Sequence, residues 1–159
     1  MAPINLPSSL HSDTILVVDD EPEHIEWLID YIEARGLKTI VVNNVSQAIA
    51  AASSSQFRGY IVDLNIPMGD WVPTFAIPND TYEKYRGLLV IKYVRTQGNK
   101  GRNVIAYSAH INDLINAEIK VLYSEYIAKG RAKEFKIGVE EMLTKSLGAK
   151  SALKSTKKN

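Results

Sequence analysis

The sequence contains no cysteine, which excludes disulfide staples, thiol nucleophiles and cysteine-based metal sites. Charge of one sign is not in excess either. Lys and Arg number 19 against 18 Asp and Glu, a formal net charge of +1. No global field therefore draws the chain to nucleic acid or to a membrane surface. No apolar run approaches the ~18 residues that a membrane span needs. The opening residues, MAPINLPSSLHSD, lack a charged segment followed by an apolar stretch, so no secretion signal is read there. The expectation is a cytoplasmic protein without membrane association.

What is present suits one domain: 159 residues, 45% hydrophobic and 23% charged, are enough for a single core with an ordinary soluble surface. Residues 1–12 hold two prolines and three serines and read as a flexible lead-in. Residues 13–148 are the expected domain. Residues 149–159 carry four lysines and no acid and read as a basic, disordered tail.

Within the domain, short apolar runs alternate with segments of helical period. Thr14–Val18 (TILVV) suits a strand buried on both faces. Pro22 then opens a helix carrying Ile25, Leu28, Ile29 and Ile32, and Gly36 ends it. Strands follow at 38–42 (KTIVV), 60–64 (YIVDL), 104–107 (VIAY) and 126–128. Helices are predicted at 45–52, with Asn44 or Ser46 as cap, and at 82–95, 111–123 and 131–147, with a turn over 97–101. Five strands alternating with five helices predict an α/β fold with a parallel sheet and helices on both faces. In such sheets the ligand site lies beyond the carboxyl ends of the strands.

Polar residues gather where that rule points. Asp19 and Asp20 follow the first strand, Asp63 lies in the third, Ser108 follows the fourth and Lys129 the fifth. Singly, each has a plain reading: an Asp after a strand often caps a helix, and a lone Ser or Lys is a turn or solvated residue. Jointly they place three carboxylates, a hydroxyl and an ammonium on one sheet edge. Carboxylates so grouped repel unless a cation joins them, and a hard cation such as magnesium suits oxygen ligands. A carboxylate beside that cation can attack phosphorus to form an acyl phosphate. The metal, a lysine and a hydroxyl would share the charge on the phosphoryl oxygens.

At these residues the sequence resembles the receiver domain of bacterial two-component systems. ILVVDDE at 15–21, IVDLNIP at 61–67, VIAYSA at 104–109 and YIAKG at 126–130 carry the resemblance, which covers roughly 13–147. It implies a doubly wound, flavodoxin-like (βα)5 fold with strand order 2-1-3-4-5. It implies that Asp63 is the phosphoacceptor, and that Asp19, Asp20, Asp63 and the backbone carbonyl of Asn65 hold Mg2+. Ser108, Ala109 and Lys129 would bind the phosphoryl group, with Ser108 and Tyr126 as the switch pair. The implied function is a phosphorelay switch rather than an enzyme, acting at most in its own phosphorylation and dephosphorylation. A histidine kinase or phosphotransfer protein would supply the phosphoryl group. A downstream protein target would read the face made by the fourth helix, fifth strand and fifth helix, and homodimerisation is left open. The residues after 147 are too few for a DNA-binding domain.

Two departures stand out. Gly130 replaces the proline usual after the lysine, and Pro67 and Gly87 are twenty positions apart where the family has only a few residues. The extra segment, 68–84, reads MGDWVPTFAIPNDTYEK. It is too rich in apolar and aromatic residues for a disordered loop and is expected to form a self-packed lid or docking loop beside the phosphorylation site, offering Trp71 and Phe75. His110 lies where the family tunes hydrolysis, but reads equally as a loop histidine.

Other readings fit less well. A phosphatase or phosphotransferase of the haloacid dehalogenase type wants an acid two residues after its nucleophile, where this chain has Asn65. A dinucleotide site wants glycines after the first strand, where this chain has DDEPEH. A receiver-like module working without phosphorylation is the alternative that the long insertion favours and the complete polar set opposes.

Overall fold

The computed structural model describes residues 9–98, 103–109 and 112–145. Residues 1–8, His110 and the tail expected over 149–159 lie outside that range, as do parts of the 97–101 turn. The strands are β1 (Ser9–Val18), β2 (Lys38–Val42), β3 (Ser55–Asp63), β4 (Val104–Ser108) and β5 (Glu125–Ala128). They form one sheet of order β2-β1-β3-β4-β5, parallel at every pairing. The helices are α1 (Glu26–Ala34), α2 (Val45–Ser54), α3 (Asp80–Lys84), α4 (Gly87–Thr96), α5 (Asp113–Val121) and α6 (Ala132–Lys145), with a 3-10 turn at Pro22–Ile25 before α1.

Side-chain alternation along the central strands divides the core in two. Leu16, Val18, Tyr60, Val62, Val104 and Ala106 face α2, α4 and α5. Ile15, Val17, Ile61, Ile105 and Tyr107 face α1 and α6. Both sides of these strands are covered, which is why they read as unbroken apolar runs.

Three expectations need correction. The lead-in does not extend to residue 12, because β1 begins at Ser9 and pairs with Ser55–Phe57 beyond a register shift between His11 and Ile15. His11 stacks on Phe57 with ring centroids 5.4 Å apart, and the Arg58 guanidinium donates to the Ser12 carbonyl, tying this segment down. The third strand likewise starts at Ser55 rather than Tyr60. The helix expected over 82–95 is broken in two at Tyr85, whose φ of −120° and ψ of 80° leave the helical region. The break lets α4 start at Gly87, which lies against the backbone of Asp63 and Leu64.

The inserted segment is ordered by what it touches. Pro67 and Met68 carbonyls accept from the Val45 and Ser46 amides, donors at the start of α2 that have no partner within the helix. The Ser46 hydroxyl donates to Asp70 at 2.6 Å. That bond holds the Asp70 carboxyl below its ordinary pKa, and the position suits the positive end of the α2 dipole. Trp71 and Phe75 lie 5.7 Å apart, and Lys92 of α4 sits over the Phe75 ring. Asn79 caps α3 and its amide donates to Glu118 of α5 at 2.9 Å. Tyr82 is buried in the core.

Candidate functional site

Register and alternation together set up a row of polar side chains. Val18 pairs with Val62, and Asp63 pairs with Tyr107. Asp19, one residue past Val18, therefore lies beside Asp63, which lies beside Tyr107. The alternation that sends Ile61 and Ile105 toward α1 and α6 sends Asp63 and Tyr107 the same way. The Asp19 amide donates to the Val42 carbonyl and the Leu64 amide to the Tyr107 carbonyl, so strand pairing fixes the backbone on which the row is mounted. Lys129 follows β5 directly, anchored by its own amide donating to the Ser108 carbonyl at 2.9 Å.

The side chains converge. Lys129 Nζ lies 3.0 Å from Asp63 Oδ2, and the Asn65 amide donates to Asp63 Oδ1 at 2.9 Å. Carboxylate oxygens of Asp19, Asp20 and Asp63 lie within 4.8 Å of one another. Asp19 and Asp63 are buried, whereas Asp20 opens to solvent. Burial pushes the Asp63 carboxyl up to about 6, with the negative Asp19 adding to the rise, while the Asn65 amide and Lys129 pull the other way. Three carboxylates so placed carry more negative charge than one lysine offsets. Three hard oxygen donors with one open side fit a small divalent cation such as magnesium, which keeps several waters and tolerates few protein ligands.

Ser108 is buried and shares a hydrogen bond with the half-buried Tyr126. Ala109 is exposed beside it. Gly130, with φ of +87° and open space around it, turns the chain after Lys129 in a conformation closed to proline.

The expectation that the insertion brings Trp71 and Phe75 beside the phosphorylation site needs correction, because neither joins this row. They pack against the cluster on the α2, α4 and α5 face, together with Met68 and Ile77. Tyr107 is the participant not singled out from the sequence. Its hydroxyl donates to Asp19 Oδ2, and burial with the neighbouring Asp19 charge raises its pKa. The signal was present in VIAY: a phenol in a strand buried on both faces needs a partner for its O–H.

The fold is shared with solved receiver domains. The chain has the receiver fold of two-component response regulators. The non-phosphorylated HemR receiver domain from Leptospira biflexa is 19% identical, with 82% of this chain and 94% of that chain covered at a TM-score of 0.64. A response regulator from Burkholderia pseudomallei, solved with a phosphorylated aspartic acid and a calcium ion, is 18% identical over 92% of this chain and 72% of that one, with a TM-score of 0.59. The receiver domain of a sensor histidine kinase from Pseudomonas aeruginosa, with magnesium coordinated in its active site cleft, is 18% identical over 82% and 97%, with a TM-score of 0.57. No protein-family model and no curated protein matches the sequence. At these identities the likeness is one of fold, and this receiver fold places its strand ends where the acids are. Among the described residues no helix is long and apolar enough to cross a membrane.

Proposed function

We propose that the protein is a phosphorylation switch in which Asp63 accepts a phosphoryl group from a histidine kinase or phosphotransfer protein. The observation that carries this is the buried Asp63 carboxylate, paired with Lys129 at 3.0 Å and grouped with Asp19 and Asp20. Its pKa of about 6 leaves it largely ionised at neutral pH and able to attack phosphorus. A new Asp63 O–P bond forms as the donor's bond to phosphorus breaks and the electron pair leaves with the donor. Asp20, Asp63, the Asn65 carbonyl and Asp19, directly or through water, would hold Mg2+, which when bound neutralises charge developing on the phosphoryl oxygens. Lys129 then transfers its ion pair from Asp63 to a phosphoryl oxygen. Ala109, exposed directly after Ser108, would offer its backbone N–H to another.

Ser108 supplies the switch. Turning the Ser108 hydroxyl toward the phosphoryl group would loosen its contact with Tyr126, letting Tyr126 change rotamer and altering the α5, β5 and α6 face for a downstream protein. Amide exchange over 112–135, with and without a phosphate mimic, reads this step. Altered protection is expected, and identical protection in both states would favour a module that works without phosphorylation.

The function is tested by mixing the protein with magnesium and a small acyl phosphate donor and measuring intact mass. One added phosphoryl group is expected, and none when the metal is chelated before the donor is added. An unmodified mass under both conditions would contradict the proposal. Asp20→Asn is expected to weaken magnesium binding at least tenfold, about 1.4 kcal/mol. An unchanged calorimetric titration would make the Asp19–Asp20 pair structural.

A further inference from the structure

Tyr107 touches both halves of the site. It is fully buried, as is Asp19, and its hydroxyl donates to Asp19 Oδ2. The Glu21 amide donates to the other oxygen of Asp19 at 2.7 Å. Both oxygens of this carboxylate are therefore aimed by protein donors. The face of the same tyrosine ring lies 5.2 Å from Lys129 Nζ, the ammonium that pairs with Asp63. The ring is itself held edge to face by Phe135 of α6, with centroids 5.3 Å apart, and Phe135 is held by Trp27 of α1 at 6.0 Å. A phenylalanine would fill this place in the core equally well, so packing does not account for the hydroxyl. Its donation to Asp19 does.

We propose that Tyr107 is a positioning residue that sets the Asp19 carboxylate for the divalent cation and steadies Lys129 over Asp63; this rests on the function proposed above. Magnesium demands near-ideal octahedral geometry, so a carboxylate free to rotate binds it, or its water, less well. Without the hydroxyl, one oxygen of a fully buried carboxylate also loses its donor. Partners that orient metal ligands in this way commonly contribute about ten- to a hundredfold to affinity.

Two full-length pairs test it: wild type against Tyr107→Phe, and Asp19→Asn against Asp19→Asn/Tyr107→Phe. The readout is magnesium affinity by calorimetry. Tyr107→Phe keeps the ring over Lys129 and is expected to weaken binding about tenfold. In the Asp19→Asn background the same change is expected to have no further effect, because the carboxylate it positions is gone. That second pair carries no buried charge left half-paired, and remains informative even where Tyr107→Phe folds poorly. The magnesium concentration for half-maximal Asp63 phosphorylation should rise by the same factor. Equal affinity in wild type and Tyr107→Phe, or the same loss in both backgrounds, would overturn the inference while leaving the proposed function standing. Wild-type protein that binds no magnesium would overturn that function itself.

Discussion

Asp63→Asn is expected to stabilise the metal-free protein at pH 7 and above while abolishing phosphoryl acceptance. Burial raises the Asp63 carboxyl from 3.8 to about 6. An acid whose folded pKa lies above its unfolded value takes up a proton on folding between the two values. Its contribution to stability is complete below pH 4 and is lost as pH rises through about 6. The difference corresponds to about 3 kcal/mol at neutral pH, and the side chain is only 2% exposed, so solvent screens little of it. Removing the charge should recover part of that amount, less the lost pairing with Lys129. Urea unfolding of both proteins from pH 4 to pH 8 in chelator is the measurement. Wild-type stability should fall with rising pH across 4–6 relative to the variant. Parallel curves would mean that the Asp63 pKa is not raised.

Gly87→Ala is expected to cost about 3 kcal/mol and to disturb the site as well as the fold. A Cβ on Gly87 would lie 2.4 Å from the Asp63 carbonyl oxygen and 2.7 Å from the Leu64 Cα, both backbone atoms with no side-chain freedom to yield. The Gly87 amide also donates to the Leu64 carbonyl, so separation of α4 from β3 would stretch that bond. The substitution should lower the unfolding midpoint and weaken magnesium binding together, since Asp63 rides on the displaced backbone. A gain in stability, as helix propensity alone would give, would show that the contact relaxes easily.

The sheet and its acids were legible because both follow from short-range rules. TILVV, KTIVV and YIVDL are apolar for the reason that strands covered on two faces must be, and Asp19, Asp63 and Lys129 stand at strand ends by chain position alone. The break in the 82–95 helix was not legible. Tyr82, Tyr85, Leu88, Ile91 and Val94 recur at every third position, and the interruption at Tyr85 accompanies the close approach of Gly87 to β3. The start of β1 was missed for a similar reason. Ser9–Ser12 are mostly polar, and become strand through Phe57 and Arg58, far away in sequence.

The apolar and aromatic content of the insertion pointed to an ordered, self-packed segment, but its place depended on contacts that pattern does not encode. Its aromatics lie on the α2 and α4 side of the sheet, whereas Asp63 and Tyr107 project with the α1 and α6 side. Tyr82, buried at 1% exposure, belongs to the core rather than to an appendage. Tyr107 is not legible as a site residue because a phenol fits an apolar strand pattern. Only the register that aligns β1, β3 and β4 shows that its hydroxyl reaches Asp19.

The central claim is that phosphorus is carried on the Asp63 carboxylate. Borohydride reduces an acyl phosphate to an alcohol, so treating the phosphorylated protein and mapping its peptides by mass locates the acceptor. Conversion of Asp63 to homoserine, and no conversion in Asp63→Asn, is the expected result. A modified residue elsewhere, or phosphorylation undiminished in Asp63→Asn, would contradict it.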